Sequence, residues 1–204
     1  MEERLLLVDS DIFILLAGAG MLDRAIELFG FSRSTTRRLE ALPYQLRKWE
    51  ASGSYPRHVC NAALQQCRAV AALTEQPMGL NAVSRLLDVK GIHSGEAVLY
   101  ALLMERPSYY LASGDKRGMV AVATAPELAD IRSAVAGRII CLEAVLGMLI
   151  REDGPDAVKA AFVPLCTCNK SLTVFFSETD CLEAVHSYFN DLVRQTGEGF
   201  LMVP

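Results

Sequence analysis

The chain has 204 residues, a formal net charge of −4 and a sequence pI of about 5.4, more acidic than is usual for a dedicated nucleic-acid binder. Hydrophobic residues make up 51% and charged residues 22%, which excludes a disordered chain and leaves enough apolar side chains for one domain with an elaboration. No apolar run approaches the ~18 residues of a membrane span, and the acidic start Met1-Glu2-Glu3-Arg4 resembles neither a signal nor a transit peptide, so the expected location is the cytoplasm.

The chain opens on Leu5-Leu6-Leu7-Val8, an apolar run suited to a strand buried on both faces of a parallel sheet. It ends in Asp9-Ser10-Asp11. Ligands of open α/β sheets bind beyond the carboxyl ends of the strands, so Asp9 either caps the next helix or helps to hold a metal there. Residues 12–29 read as helix, a break at Gly18 and Gly20, and helix again from an Asp23 cap. Residues 29–32 are a candidate second strand. Residues 34–42 read as a helix capped by Ser34 or Thr35, with Leu39, Leu42 and Leu46 as its apolar stripe and Pro43 ending or kinking it. Glu40 would then point back over the sheet edge.

Residues 50–90 form an irregular middle with a helix over 58–73, a break at Pro77-Met78-Gly79 and a short helix over 81–87. Ser94 is expected to cap an apolar helix with Glu96 in its first turn, and Arg106-Pro107 to end it. Residues 109–113 read as a strand, Gly114-Asp115-Lys116-Arg117-Gly118 as the turn at its carboxyl end, and Met119 onward as helix. Residues 137–142 give a fourth strand, followed by a helix over 143–152. After the break at Gly154-Pro155 the rest is mostly helical, with residues 172–176 either strand or buried helix. Strands alternating with helices predict an α/β fold on a parallel sheet of about four to five strands. The expected division is a domain over 1–150 and a mostly helical C-terminal extension over 151–204.

The six cysteines contain no Cys-x-x-Cys pair, and His58, His93 and His186 show no zinc-type spacing to them, so they read as reduced thiols. The chemistry lies in the acids. Asp9 and Asp115 end strands, and Glu40 and Glu96 sit near the starts of helices, all facing one rim of the sheet. Such carboxylates repel one another unless a cation lies among them, and hard cations such as Mg²⁺ take a few carboxylates plus water and substrate phosphate. Asp11 reads as an accessory, a cap or a support behind the ligands. The acidic net charge does not count against a nuclease, because acids gathered round a metal lower it without repelling substrate.

Val8-Asp9-Ser10-Asp11-Ile12-Phe13-Ile14 resembles the opening of the PIN-domain nucleases. Thr35-Thr36-Arg37-Arg38-Leu39-Glu40 is similar to the segment bearing that family's second acid, Ser94-Gly95-Glu96-Ala97-Val98 to its third, and Leu111-Ala112-Ser113-Gly114-Asp115-Lys116-Arg117-Gly118 to its strand-end acid followed by a basic pair. The match runs in order from residue 4 to about 145. It departs in the long middle, in Pro43 and in the C-terminal extension. The resemblance implies a three-layer α/β/α fold and metal-dependent hydrolysis of RNA phosphodiesters. Asp9, Glu96 and Asp115 would hold Mg²⁺ or Mn²⁺, and Glu40 would complete the catalytic set. Lys116, Arg117 and Arg37, with Arg38, would contact the phosphate backbone. For a toxin-type member it also implies an antitoxin or other protein partner, and a homo-oligomer is expected. Two other readings stand beside it: a haloacid-dehalogenase-like phosphatase using Asp9 as nucleophile, and a non-catalytic scaffold of the same fold.

Overall fold

The computed structural model describes residues 3–203; the reading of Met1 and Glu2 as an acidic run-in to the first strand lies outside them. The protein is α/β, with helices on both faces of a five-stranded parallel sheet. The strands are β1 (Leu5–Val8), β2 (Thr36–Leu39), β3 (Ala71–Leu73), β4 (Tyr109–Ser113) and β5 (Ile139–Cys141), in the order β3-β2-β1-β4-β5. β1 lies at the centre, and Leu6, Leu7 and Val8 are all buried, as their uninterrupted apolar run requires.

The helices are α1 (Ser10–Gly18), α2 (Leu22–Leu28), α3 (Leu42–Ser52), α4 (Arg57–Ala69), α5 (Leu80–Leu87), α6 (Ser94–Glu105), α7 (Lys116–Thr124), α8 (Ala129–Val135), α9 (Leu142–Asp153), α10 (Pro155–Phe162), α11 (Lys170–Ser177) and α12 (Cys181–Thr196). From β1 the chain steps outward through β2 to β3, then crosses back past β1 to β4 and β5. Right-handed crossovers therefore place α1–α4 on one face and α5–α8 on the other. The packing agrees: α4 lies against α1 and α3, whereas α6 lies against α5 and α8. α9 joins the first layer against α2, and α12 bridges α9 and α7.

Four local expectations are corrected. Residues 29–32 are a helix end, not a strand: Gly30 takes a positive φ of 76° and the Phe31 amide donates to the Ile26 carbonyl at 3.0 Å, closing α2. Residues 36–39 are strand β2, not helix. The hydroxyls that look like caps close a turn instead, with Ser32 N–H donating to Thr35 Oγ1 at 2.9 Å and Thr35 N–H to the Ser32 carbonyl at 3.1 Å. Thr36 is then buried opposite Leu6 of β1. Pro43 does not end a helix but stands at the start of α3, where its missing N–H is not needed. The helix expected over 58–73 stops at Ala69, and Ala71–Leu73 adds an edge strand beside β2.

Residues 172–176 are helical, begun by Asn169, whose Oδ1 accepts from the Leu172 amide at 3.1 Å. α9 runs straight through position 150. Phe162, Leu165, Leu172, Phe175 and Val185 belong to the same core as the sheet. Leu201 forms an isolated parallel bridge with Ile139, covering the outer edge of β5. No helix among the described residues is long and apolar enough to cross a membrane.

Candidate active site

The direction of chain progression reverses at β1, so the crevice beyond the carboxyl ends of β1 and β4 is the switch point where open α/β sheets take ligands. Asp9 follows β1 directly. Its amide continues the ladder to the Ala112 carbonyl at 2.9 Å. Its Oδ1 accepts from the Ser10 amide at 2.7 Å and its Oδ2 from the Ser113 hydroxyl at 3.1 Å. Only 7% of the residue is exposed. Burial, then the neighbouring Asp11, push its pKa up to about 6 against the pull of the Ser10 and Ser113 hydrogen bonds.

Glu96 comes from the other layer, in the first turn of α6. Its Oε2 accepts from the His93 amide at 2.9 Å. Burial raises its pKa to about 8; the His93 bond opposes this, and Asp115, Asp9 and Asp11 add to it. Asp115 caps α7, with Oδ1 accepting from the amides of Arg117 at 2.9 Å and Gly118 at 3.3 Å. Asp11, in the first turn of α1, still reaches solvent. Its pKa is nonetheless raised by lost hydration and by Asp115, while His93 and Arg117 pull it down. Asp9, Glu96 and Asp115 thus each have a local structural task, yet the charges of Asp11 and Asp115 reach Asp9 and Glu96 across the crevice. Among the described residues no lysine or arginine forms an ion pair with Asp9, Asp11 or Glu96; Asp115 has Arg117 Nε at 3.8 Å.

The Glu96 carboxylate lies against the first turn of α7. A Cβ on Gly118 would fall 2.6 Å from Glu96 Oε1. Gly118→Ala is therefore expected to leave stability within about 1 kcal/mol of wild type, because alanine favours the helix while only the end of a flexible side chain has to move. The displaced carboxylate should weaken any response to divalent cation, read as a smaller rise in thermal midpoint with Mn²⁺. An unchanged rise would mean that Glu96 stands outside the cation site.

Glu40 lies in the turn after β2, at the same rim as the other acids, and is exposed. It borders a cleft of about 450 Å³ with Gln45, Ser94 and Gly95. Gln45 Oε1 accepts from the Ser10 hydroxyl at 2.7 Å, which ties this cleft to the residue beside Asp9.

Three of the four expected phosphate contacts are engaged elsewhere. Arg37 lies within β2, and its Nη1 donates to the carbonyls of Ser34 at 2.6 Å and Thr36 at 2.9 Å, toward the amino end of the strand. Lys116 Nζ stands 2.6 Å from Glu143 Oε1. Arg117 keeps 80% of its side chain exposed beside Asp115. Arg38 donates to the Cys67 carbonyl at 3.0 and 3.1 Å.

Several residues beyond those expected belong to this region. Ser113 links β4 to Asp9, and Gly118 makes room for Glu96. Tyr100, one turn along α6 from Glu96, is fully buried, and its hydroxyl pKa is driven up by burial and then by Glu96, Asp9 and Asp115. That i, i+4 spacing is visible in the sequence. So is Glu143, which follows β5 as Asp115 follows β4.

Among the described residues no group of three or more His, Cys, Asp or Glu side chains is arranged to hold a metal ion as it stands. The donor chemistry nevertheless fits a hard cation: all donors are carboxylate oxygens, burial and neighbouring carboxylates raise the pKa of Asp9 to about 6 and of Glu96 to about 8, and water and phosphate normally complete such a shell. No protein-family model matches the chain, and neither a curated protein nor a solved structure matches it.

Proposed function

We propose that the protein is a divalent-metal-dependent hydrolase of RNA phosphodiesters, as the resemblance to PIN-domain nucleases implies. The observation that carries this reading is the meeting of Asp9, Asp11, Glu96 and Asp115 from both helix layers at the switch point, where no basic side chain pairs with Asp9 or Glu96 among the described residues. A bound Mg²⁺ or Mn²⁺ would lower the pKa of its water and offset charge on the phosphate. Asp9, Glu96 and Asp115 are the residues that would hold it. Ser113 and the Ser10 amide fix the Asp9 carboxylate, the His93 amide fixes Glu96, and the exposed Arg117 guanidinium beside Asp115 would contact the phosphate backbone.

The phosphatase reading is less well supported. Both Asp9 oxygens accept hydrogen bonds, and α1 begins at Ser10, leaving no flap segment between nucleophile and helix.

The test is the thermal midpoint with and without excess Mn²⁺, followed by cleavage of single-stranded RNA. A cation bound only to the folded state stabilises it by about 2.7 kcal/mol at a hundredfold excess over Kd. Wild type should show that rise and cleave RNA, and Asp9→Asn should do neither. A wild type that ignores millimolar Mn²⁺ and leaves RNA intact would leave the scaffold reading in its place. A phosphoenzyme trapped on Asp9 would favour the phosphatase.

A further inference from the structure

We propose that Lys116 is a positioning residue, through which Glu143 and the C-terminal helices fix the first turn of α7 and so the crevice acids. The inference rests on the proposed function for its consequence, but its structural core is independent of it. Lys116 opens α7 immediately after Asp115. Its ammonium reaches away from the crevice to Glu143, which follows β5 and is 1% exposed. The same ammonium lies 4.8 Å from the centre of the Tyr188 ring on α12 and 5.7 Å from that of Phe175 on α11. Those two rings pack edge to face at 5.1 Å. Four parts of the chain, α7, the start of α9, α11 and α12, therefore meet at one nitrogen.

A carboxylate beneath and two aromatic faces beside it hold a side chain that would otherwise sample many rotamers. Holding Lys116 sets the direction in which the next two amides point. Those are the amides of Arg117 and Gly118, which Asp115 Oδ1 accepts, and Gly118 is the surface against which Glu96 rests. The C-terminal layer thus reaches both Asp115 and Glu96 without touching the crevice. Groups that orient ligands from behind typically alter metal affinity by about 10–100-fold when removed.

The experiment compares Glu143→Gln, Tyr188→Leu and Lys116→Arg with wild type in the full chain. Amide hydrogen exchange is measured first without metal. Glu143→Gln should speed exchange at Arg117 and Gly118 relative to wild type, while the Asp9 amide, held by β4, keeps its protection. Tyr188→Leu alters a ring that is 39% exposed, so it should fold normally and act in the same direction. Lys116→Arg keeps the charge and the ring contact and should preserve both amides. Mn²⁺ titration of the same proteins should then show affinity lost in the first two variants and kept in the third. Exchange that rises equally everywhere, or not at all in Tyr188→Leu, overturns the positioning role. A wild type that binds no Mn²⁺ overturns the proposed function instead, and the metal-free exchange still decides the role of Lys116.

Discussion

Glu96→Gln is expected to stabilise the metal-free protein at about pH 8 by on the order of 2–4 kcal/mol. The ordinary value for the carboxyl group is 4.5, and burial lifts it to about 8 in the folded state. The folded protein therefore holds this proton more tightly than the unfolded chain does. Its contribution to stability is fully present below the ordinary value and is lost as pH rises through about 8. Glutamine fills the same space and cannot ionise, so its advantage should be near zero at about pH 4 and largest above neutrality. Asp9, raised to about 6, adds a smaller loss over a lower range. The measurement is chemical denaturation of both proteins across pH, without metal and then with saturating Mn²⁺. Because a cation needs the ionised carboxylates, its affinity should climb with pH over about 6 to 8, and the wild type should then overtake the variant. If Glu96→Gln is the less stable protein at every pH without metal, Glu96 is a structural cap and no more.

This arrangement also explains why the site was partly legible in the sequence. β1, β4 and β5 are apolar runs stopped by a small or acidic residue, and the strand-end placement of Asp9 and Asp115 follows from that pattern alone. β2 was hidden because Thr36-Arg37-Arg38-Leu39 carries two charges in four residues. It is a strand because distant carbonyls, such as that of Cys67, accept from Arg38, and β1 supplies the ladder. β3 has three residues and no signal of its own. Gly118 and Ser113 acquire their roles only once α6 and α7 are packed and β1 is set in register with β4. Glu143 is different: its position after β5 repeats that of Asp115, and the motif could have been read as a fifth acid at the rim.

The tie between Glu143 and Lys116 should be among the most sensitive points of the fold. Lys116→Met is expected to destabilise the protein by about 3–5 kcal/mol, because it leaves a carboxylate buried without its counter-charge. The burial is nearly complete on one side only: 1% of the Glu143 side chain is exposed against 30% of that of Lys116. Neither Glu143 oxygen makes a well-directed hydrogen bond, so the 2.6 Å approach of the ammonium is the main compensation, and the Cys141 thiol beside it has its own pKa pushed up by burial and by that charge. The reverse change, Glu143→Gln, should be milder, since the freed ammonium can reach water and keeps the faces of Tyr188 and Phe175. Replacing both partners together, as Lys116→Met with Glu143→Met, should recover most of the loss, because two apolar side chains of similar volume need no compensation. Urea denaturation of the two single variants and the double variant closes the cycle. A Lys116→Met protein within about 1 kcal/mol of wild type would mean that Glu143 takes up a proton or a water at little cost, and that the pair contributes no more than a surface ion pair.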